Sequence, residues 1–230
     1  MAGEGGNQRL NARETIPRPR IQTLSDLIFG LALSIGALTL ISEKPSSSVD
    51  LAGILLGFGW AFLILALVWV RYTSIMSVLP VETRSMMAAN LVLLFLVTVE
   101  PYLYNLIAVS FSSLPGQLDS GVATTAYAAD MGAMFLVLAF FAHEITIEEK
   151  RLVPHQLLNR YKLMRNATVV TAALFLVSIL PIFWGLVIFG IQARFILWMG
   201  TFVTWTVRRG FERRSSLSSL SGGAQTRLPA

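Results

Sequence analysis

Cysteine is missing from all 230 positions, and histidine occurs only at 143 and 155. Without cysteine the chain has no disulfides, no iron–sulfur cluster, no cysteine-ligated zinc and no thiol nucleophile. The spacing of His143 and His155 keeps them off one helical face, so no metal site is expected and each is read as an interfacial residue. Charge is scarce as well: 13% of residues are charged against 54% hydrophobic, with a mean hydropathy of +0.65. That balance excludes an ordinary soluble globular domain. The formal charge of +5 belongs, in a membrane chain, to the cytoplasmic side and not to nucleic acid. No His/Asp/Glu or Ser/His cluster falls within the apolar runs, so no catalytic residues and no enzyme activity are expected. No cofactor and no soluble partner are expected either.

What the chain does have is long apolar runs. Four of them, near 21–41, 51–70, 88–109 and 122–143, each have the length of a membrane-spanning helix. A further region, 167–207, is too long for one span and is interrupted by Pro181, Gly185, Gly190 and Arg194. It divides into spans near 167–184 and 190–207, with the reversal somewhere between Pro181 and Arg194. The expectation is an all-α integral membrane protein with six transmembrane helices. All but two of the 18 Lys and Arg residues fall in segments on one side of these spans, the exceptions being Lys44 and Arg194. Such asymmetry predicts that both termini are cytoplasmic, in a multi-pass protein of the cell membrane. The first span carries no small-x-small cleavage pattern and is read as retained.

Residues 1–19 form a polar cytoplasmic tail, 20–209 the six-helix domain, and 210–230 an Arg/Ser/Gly-rich tail expected to be disordered. The outer 110–121 stretch reads as a turn-rich linker and the inner 144–166 stretch as a hydrated helical connector. Arg71 and Tyr72, just past the second apolar run, read as interfacial anchors, and Gly53-x-x-x-Gly57 as a close-packing pattern. Trp60, Trp184, Trp198 and Trp205 read as packing or belt residues.

The first run is the most informative. Its apolar part, 27–41, would be about 22 Å long at 1.5 Å per residue, short of the roughly 30 Å hydrocarbon core. To span, the helix must draw in the polar head Arg20-Ile-Gln-Thr-Leu-Ser-Asp26 that precedes it without a breaker. Ionisable groups at that depth face a bundle interior or a water-filled path. Leu31, Ser34, Ile35 and Leu38 share one face, which would present apolar rings with one hydroxyl ring between them. Gly30, Gly36 and Ala37 lie off that stripe, where neighbours can approach closely. Two simpler readings compete: an ordinary lipid-facing or core leucine stripe, and a helix start in which Thr23 or Ser25 caps, Asp26 meets the positive dipole end and Arg20 anchors.

Arg-x-x-x-Leu-Ser-Asp at 20–26 resembles the Arg-x-x-x-Phe-Ser-Asp signature of the transmembrane protein 175 potassium channels. Trp69, Asn90-Leu91 with Pro101, and Tyr127-Ala128-Ala129 follow in the order found in that family. The resemblance spans roughly 20–207. It implies a passive, potassium-permeable pore lined by the first helix of each six-helix repeat, with K+ as the permeant ion. With one repeat per chain it also implies a homotetramer. Carried over by position, Leu31 would be the apolar constriction, Ile35 and Leu38 further rings, and Ser34 a pore-facing hydroxyl. Arg20, Ser25 and Asp26 would join Trp69 and Asn90 in a hydrogen-bond network supporting the cytoplasmic half. Leu24 stands where the family has phenylalanine, and Arg71 and Tyr72 follow Trp69 where the family commonly has histidine.

Glu100 and Asp130 lie in the third and fourth spans, each about 12–14 Å below the outer surface. Facing each other, they would suit a proton or cation relay. Otherwise they line an outer vestibule open to water or pair separately with Tyr102, Tyr104 or Arg194. Three functions follow: a potassium-permeable channel; a proton-conducting channel through the same pore; and a non-conducting membrane scaffold recruiting a partner through 144–166. The first is favoured. A Thr-Val-Gly-Tyr-Gly filter is absent, so usual carbonyl-ring selectivity is not expected, and the absence of an Arg-rich span argues against voltage sensing.

Overall fold

The computed structural model describes residues 20–42, 45, 47–79, 83–110, 120–147, 153–188, 191–206 and 210. The two tails and most of the 110–121 and 144–152 loops lie outside these.

Helix α1 runs from Arg20 to Ser42, roughly 34 Å at 1.5 Å per residue. The polar head is therefore helical and continuous with the apolar part, as the length argument requires. Ser25 and Thr23 fall inside the helix, so neither is its cap, and the helix-start reading of these residues is set aside. Helix α2 spans Ser48–Met76, with the Ser47 side chain accepting from the Asp50 amide at 3.1 Å and Asp50 in the first turn. Both features favour a helix start. Helix α3, Arg84–Ser110, contains Pro101, which removes one backbone donor from its ladder. Helix α4 covers Ser120–Thr146 and helix α5 His155–Val177. Residues 155–166, expected in a connector, are thus continuous with the fifth helix.

The chain reverses after α5 through a single helical turn α6, Ile182–Gly185. An antiparallel hairpin follows, in which Val187 pairs with Gln192 and Ile188 with Ile191. These two-residue strands, β1 and β2, are the one departure from a helical architecture among the described residues. Residues 193–206 then form helix α7.

Helix α4 is the central post. It contacts α5, α3 and α2, while α1 packs on α3 and α2. In its most apolar window 61% of residues are buried, against 28% for α2. A helix buried nearly all round needs apolar or small residues on every side, which α4 supplies with alanines, glycines and Met131, Met134, Phe135 and Leu138. At Gly132 an added Cβ would stand 2.6 Å from Leu176 Cδ2, so the α4–α5 approach depends on the missing side chain. Trp198 of α7 lies in this core, 5.2 Å from the Tyr127 ring and 5.7 Å from Phe175. Its Nε1 donates to Ser178 Oγ at 2.9 Å, so this tryptophan packs the interior.

Among the described residues, α2, residues 84–108 of α3, and α4 are long and apolar enough to cross a membrane. The chain is a multi-pass membrane protein, and it is predominantly helical.

Candidate functional site

Helix α1 divides into two faces. Ser25, Phe29 and Ala32 are buried against the bundle, and the Phe29 ring lies 5.5 Å from that of Tyr72. On the opposite side Leu24, Leu27, Leu31, Ile35, Leu38 and Ile41 are all exposed on the subunit. A whole helical face of large aliphatic side chains is left without a partner among the described residues. Ser34, on that face, donates its hydroxyl to the Gly30 carbonyl at 2.8 Å. The proton is turned back into the helix, and the oxygen lone pairs are what Ser34 presents outward. Gly30 and Ala37 flank the stripe and are exposed too, and an added Cβ at Gly30 meets nothing within 4 Å. Gly36 sits on the inner side, 3.8 Å from Phe58 by the same construction.

Below the stripe, the polar head of α1 is tied to α2 and α3. The Tyr72 hydroxyl lies 2.7 Å from Ser25 Oγ and 2.8 Å from Asn90 Oδ1, and Asn90 Nδ2 donates to Ser25 Oγ at 3.4 Å. The phenol proton thus lies between two acceptors, Ser25 Oγ and Asn90 Oδ1. The result is a buried ring of three groups, each supplied by a different helix. Beside it, Trp69 Nε1 donates to Asp26 Oδ1 at 3.2 Å. Of the expected network, Ser25 and Asn90 thus meet in one cluster and Asp26 and Trp69 in an adjoining pair. Arg20 opens α1, and its side chain lies outside the described residues.

Tyr72 is the member that sequence reasoning missed. It and Arg71 were expected at the membrane interface, yet both are buried. The physical reason is the length of α2, which continues to Met76 and carries both residues into the bundle. The Arg71 guanidinium stacks 5.2 Å over Phe135 and donates to Thr168 Oγ1 at 3.4 Å, so it faces inward between α4 and α5. The signal that was available is the three-residue step from Trp69 to Tyr72, which puts both aromatics on neighbouring parts of one helical face.

Glu100 and Asp130 are buried, which rules out a water-open vestibule for this pair within the subunit. Tyr127 neighbours both carboxyl groups. Glu100 Oε1, Asp130 Oδ2 and the Tyr127 hydroxyl have no hydrogen-bond partner among the described residues. Glu100 also borders a cavity of about 10 Å³ shared with Ala32 and Gly36 of α1, room for about one water. Arg194 lies elsewhere: it donates to Thr124 Oγ1 and sits 5.5 Å over the Trp184 ring.

Residues 20–101 match the model of the family described as endosomal/lysosomal potassium channel TMEM175. The resemblance carried by Arg20–Asp26 is thereby borne out over α1, α2 and most of α3. The match includes every α1, α2 and α3 residue of the network described above and stops before α4. Among solved structures, a lysosomal potassium-selective channel TMEM175 homolog from Chamaesiphon minutus superposes with a TM-score of 0.52 and 20% identity. The alignment covers 85% of this chain and 96% of that one, so the likeness of fold runs well past the family match. No curated protein matches the chain.

Proposed function

We propose that this chain, bearing the TMEM175 pattern over residues 20–101, is the subunit of a potassium-permeable cation channel that conducts passively along α1. The observation that carries the reading is the unpartnered aliphatic face of α1. Leu31 is 55% exposed on the subunit while Ala32, one residue on, is 1% exposed. A single helix cannot enclose a pore. Four copies, six spans each with both termini cytoplasmic, would bring four such faces together around an axis.

In that arrangement Leu31 forms the narrowest ring, Ile35 and Leu38 form further apolar rings, and Ser34 contributes oxygen lone pairs between them. Ions shed part of their hydration at the apolar neck, and the hydroxyl oxygens offset some of that loss. The Ser25–Tyr72–Asn90 ring and the Asp26–Trp69 pair hold the cytoplasmic half of α1 at a set distance from the axis. No cofactor takes part, and K+ is the permeant species.

Potassium flux in proteoliposomes tests this, comparing wild type with Leu31→Asn and Leu31→Ala alongside matched proton flux. Wild-type flux above empty vesicles, raised severalfold in both variants, is the expected result. Proton flux exceeding potassium flux would move the assignment to a proton channel. Absence of flux in all three folded tetrameric proteins would leave the scaffold reading.

A further inference from the structure

Between the start of α1 and the end of α2 lies a cavity of about 370 Å³, lined by Gln22, Asp26, Trp69, Tyr72, Thr73, Met76 and Ser77. That volume falls in the range of small-molecule sites. Its chemistry is one-sided. Gln22 Nε2 is committed to the Met76 carbonyl at 2.7 Å, Thr73 Oγ1 to the Val70 carbonyl at 3.1 Å and Ser77 Oγ to the Ser74 carbonyl at 2.9 Å. Trp69 Nε1 is committed to Asp26 Oδ1, and the Tyr72 proton to the Ser25 and Asn90 oxygens. Nearly every side-chain donor around the cavity is therefore spent within the protein, leaving the second amide hydrogen of Gln22.

What remains is acceptors: Asp26 Oδ2, Gln22 Oε1, and the lone pairs of Thr73 and Ser77. One of them belongs to Asp26, the only acidic side chain among the described lining residues, and no basic side chain among those residues opposes it. The Trp69 indole, 39% exposed, adds a π surface of the kind that attracts cations. A ligand suited to the described lining brings N–H donors and positive charge, and an anion finds there only the second amide hydrogen of Gln22.

We propose that the cavity is a binding site for a small organic ammonium. The ammonium group bonds to Asp26 Oδ2 and the surrounding acceptors, and its carbon skeleton lies against Trp69 and Met76. A hydrated alkali ion would leave most of the volume unfilled and gain nothing from the indole beyond its charge. The proposal rests on the geometry of one subunit and is read without ion flux, so it stands or falls apart from the channel assignment.

The test is calorimetric titration of the purified full-length protein in nanodiscs with three molecules of one shape and different charge. These are benzylamine, protonated at neutral pH, benzyl alcohol and benzoate. Saturable binding of benzylamine, with weaker binding of the alcohol and none of benzoate, is expected in both sodium and potassium buffer. Asp26→Asn removes the charge from the contact and should weaken benzylamine binding roughly ten- to hundredfold. Ser77 is exposed at the C-terminal end of α2, where a lysine is tolerated, so Ser77→Lys gives a second variant that leaves the Asp26 contacts in place. Its added ammonium should abolish binding while the melting temperature stays at the wild-type value. Equal binding of all three molecules, no binding of benzylamine by the wild type, or full affinity in either folded variant would overturn the site.

Discussion

Tyr72 shows how much one hydroxyl decides. Its ring sits against Phe29, and its oxygen joins α1, α2 and α3 through Ser25 and Asn90. Tyr72→Phe keeps the ring and leaves Asn90 Oδ1 buried without its donor, which costs about 1–3 kcal/mol. Thermal unfolding of the purified protein should show a clear drop in midpoint. Trp69→Phe removes a hydrogen bond at a half-exposed position and should lower the midpoint less, because water can replace the lost donor. The reverse ranking would mean that the Asp26–Trp69 pair, and not the three-group ring, anchors α1. The same comparison explains what the sequence made legible. Ser25, Asp26, Trp69 and Asn90 stand out by resemblance, whereas Arg71 and Tyr72, just past the second apolar run, read as interfacial anchors.

At the scale of elements, periodicity was the reliable guide and helix ends were not. The α1 stripe follows from 3.6 residues per turn and emerges as one exposed face. Arg71 and Tyr72 interrupt an apolar run, which suggested a helix end, yet α2 goes on because both side chains find partners inside the bundle. Close contacts between helices were legible only in part. In Gly53-x-x-x-Gly57, an added Cβ at Gly53 meets nothing within 4 Å, while one at Gly57 would collide with the Tyr104 hydroxyl. A second close approach, carried by no such pattern, is at Gly132 against Leu176 of α5. Gly132→Ala should overpack the α4–α5 seam and destabilise the protein by roughly 1–3 kcal/mol, measured as the unfolding midpoint. Gly30→Ala, facing open space within the subunit, should leave an isolated subunit unaffected. If Gly132→Ala melts like wild type, Leu176 moves aside freely and the seam is looser than it looks.

For the whole molecule, the exposed aliphatic face of α1 requires either lipid or other subunits. The chain has no cysteine, so single introduced cysteines report proximity without background. In a pore-lining arrangement Leu31→Cys and Leu38→Cys should each form disulfide-linked dimers on mild oxidation in membranes. Phe95→Cys, on an exposed part of α3, gives the comparison. Cross-linking no stronger at positions 31 and 38 than at 95, in protein that assembles normally, would place the stripe in lipid. Native mass spectrometry of the same preparations should return four copies per particle.

The sequence by itself determined that this is a multi-pass helical membrane protein, which face of α1 is aliphatic, and which family the first spans resemble. Those features are local: hydropathy, helical period and a short signature are properties of consecutive residues. The tertiary structure alone decided that Tyr72 closes the Ser25–Asn90 ring, that Glu100 and Asp130 are brought together beside Tyr127, and that a donor-poor cavity opens next to Asp26. Each of these depends on side chains from two or three helices, and their meeting is set by how the helices pack, which no single stretch of sequence contains.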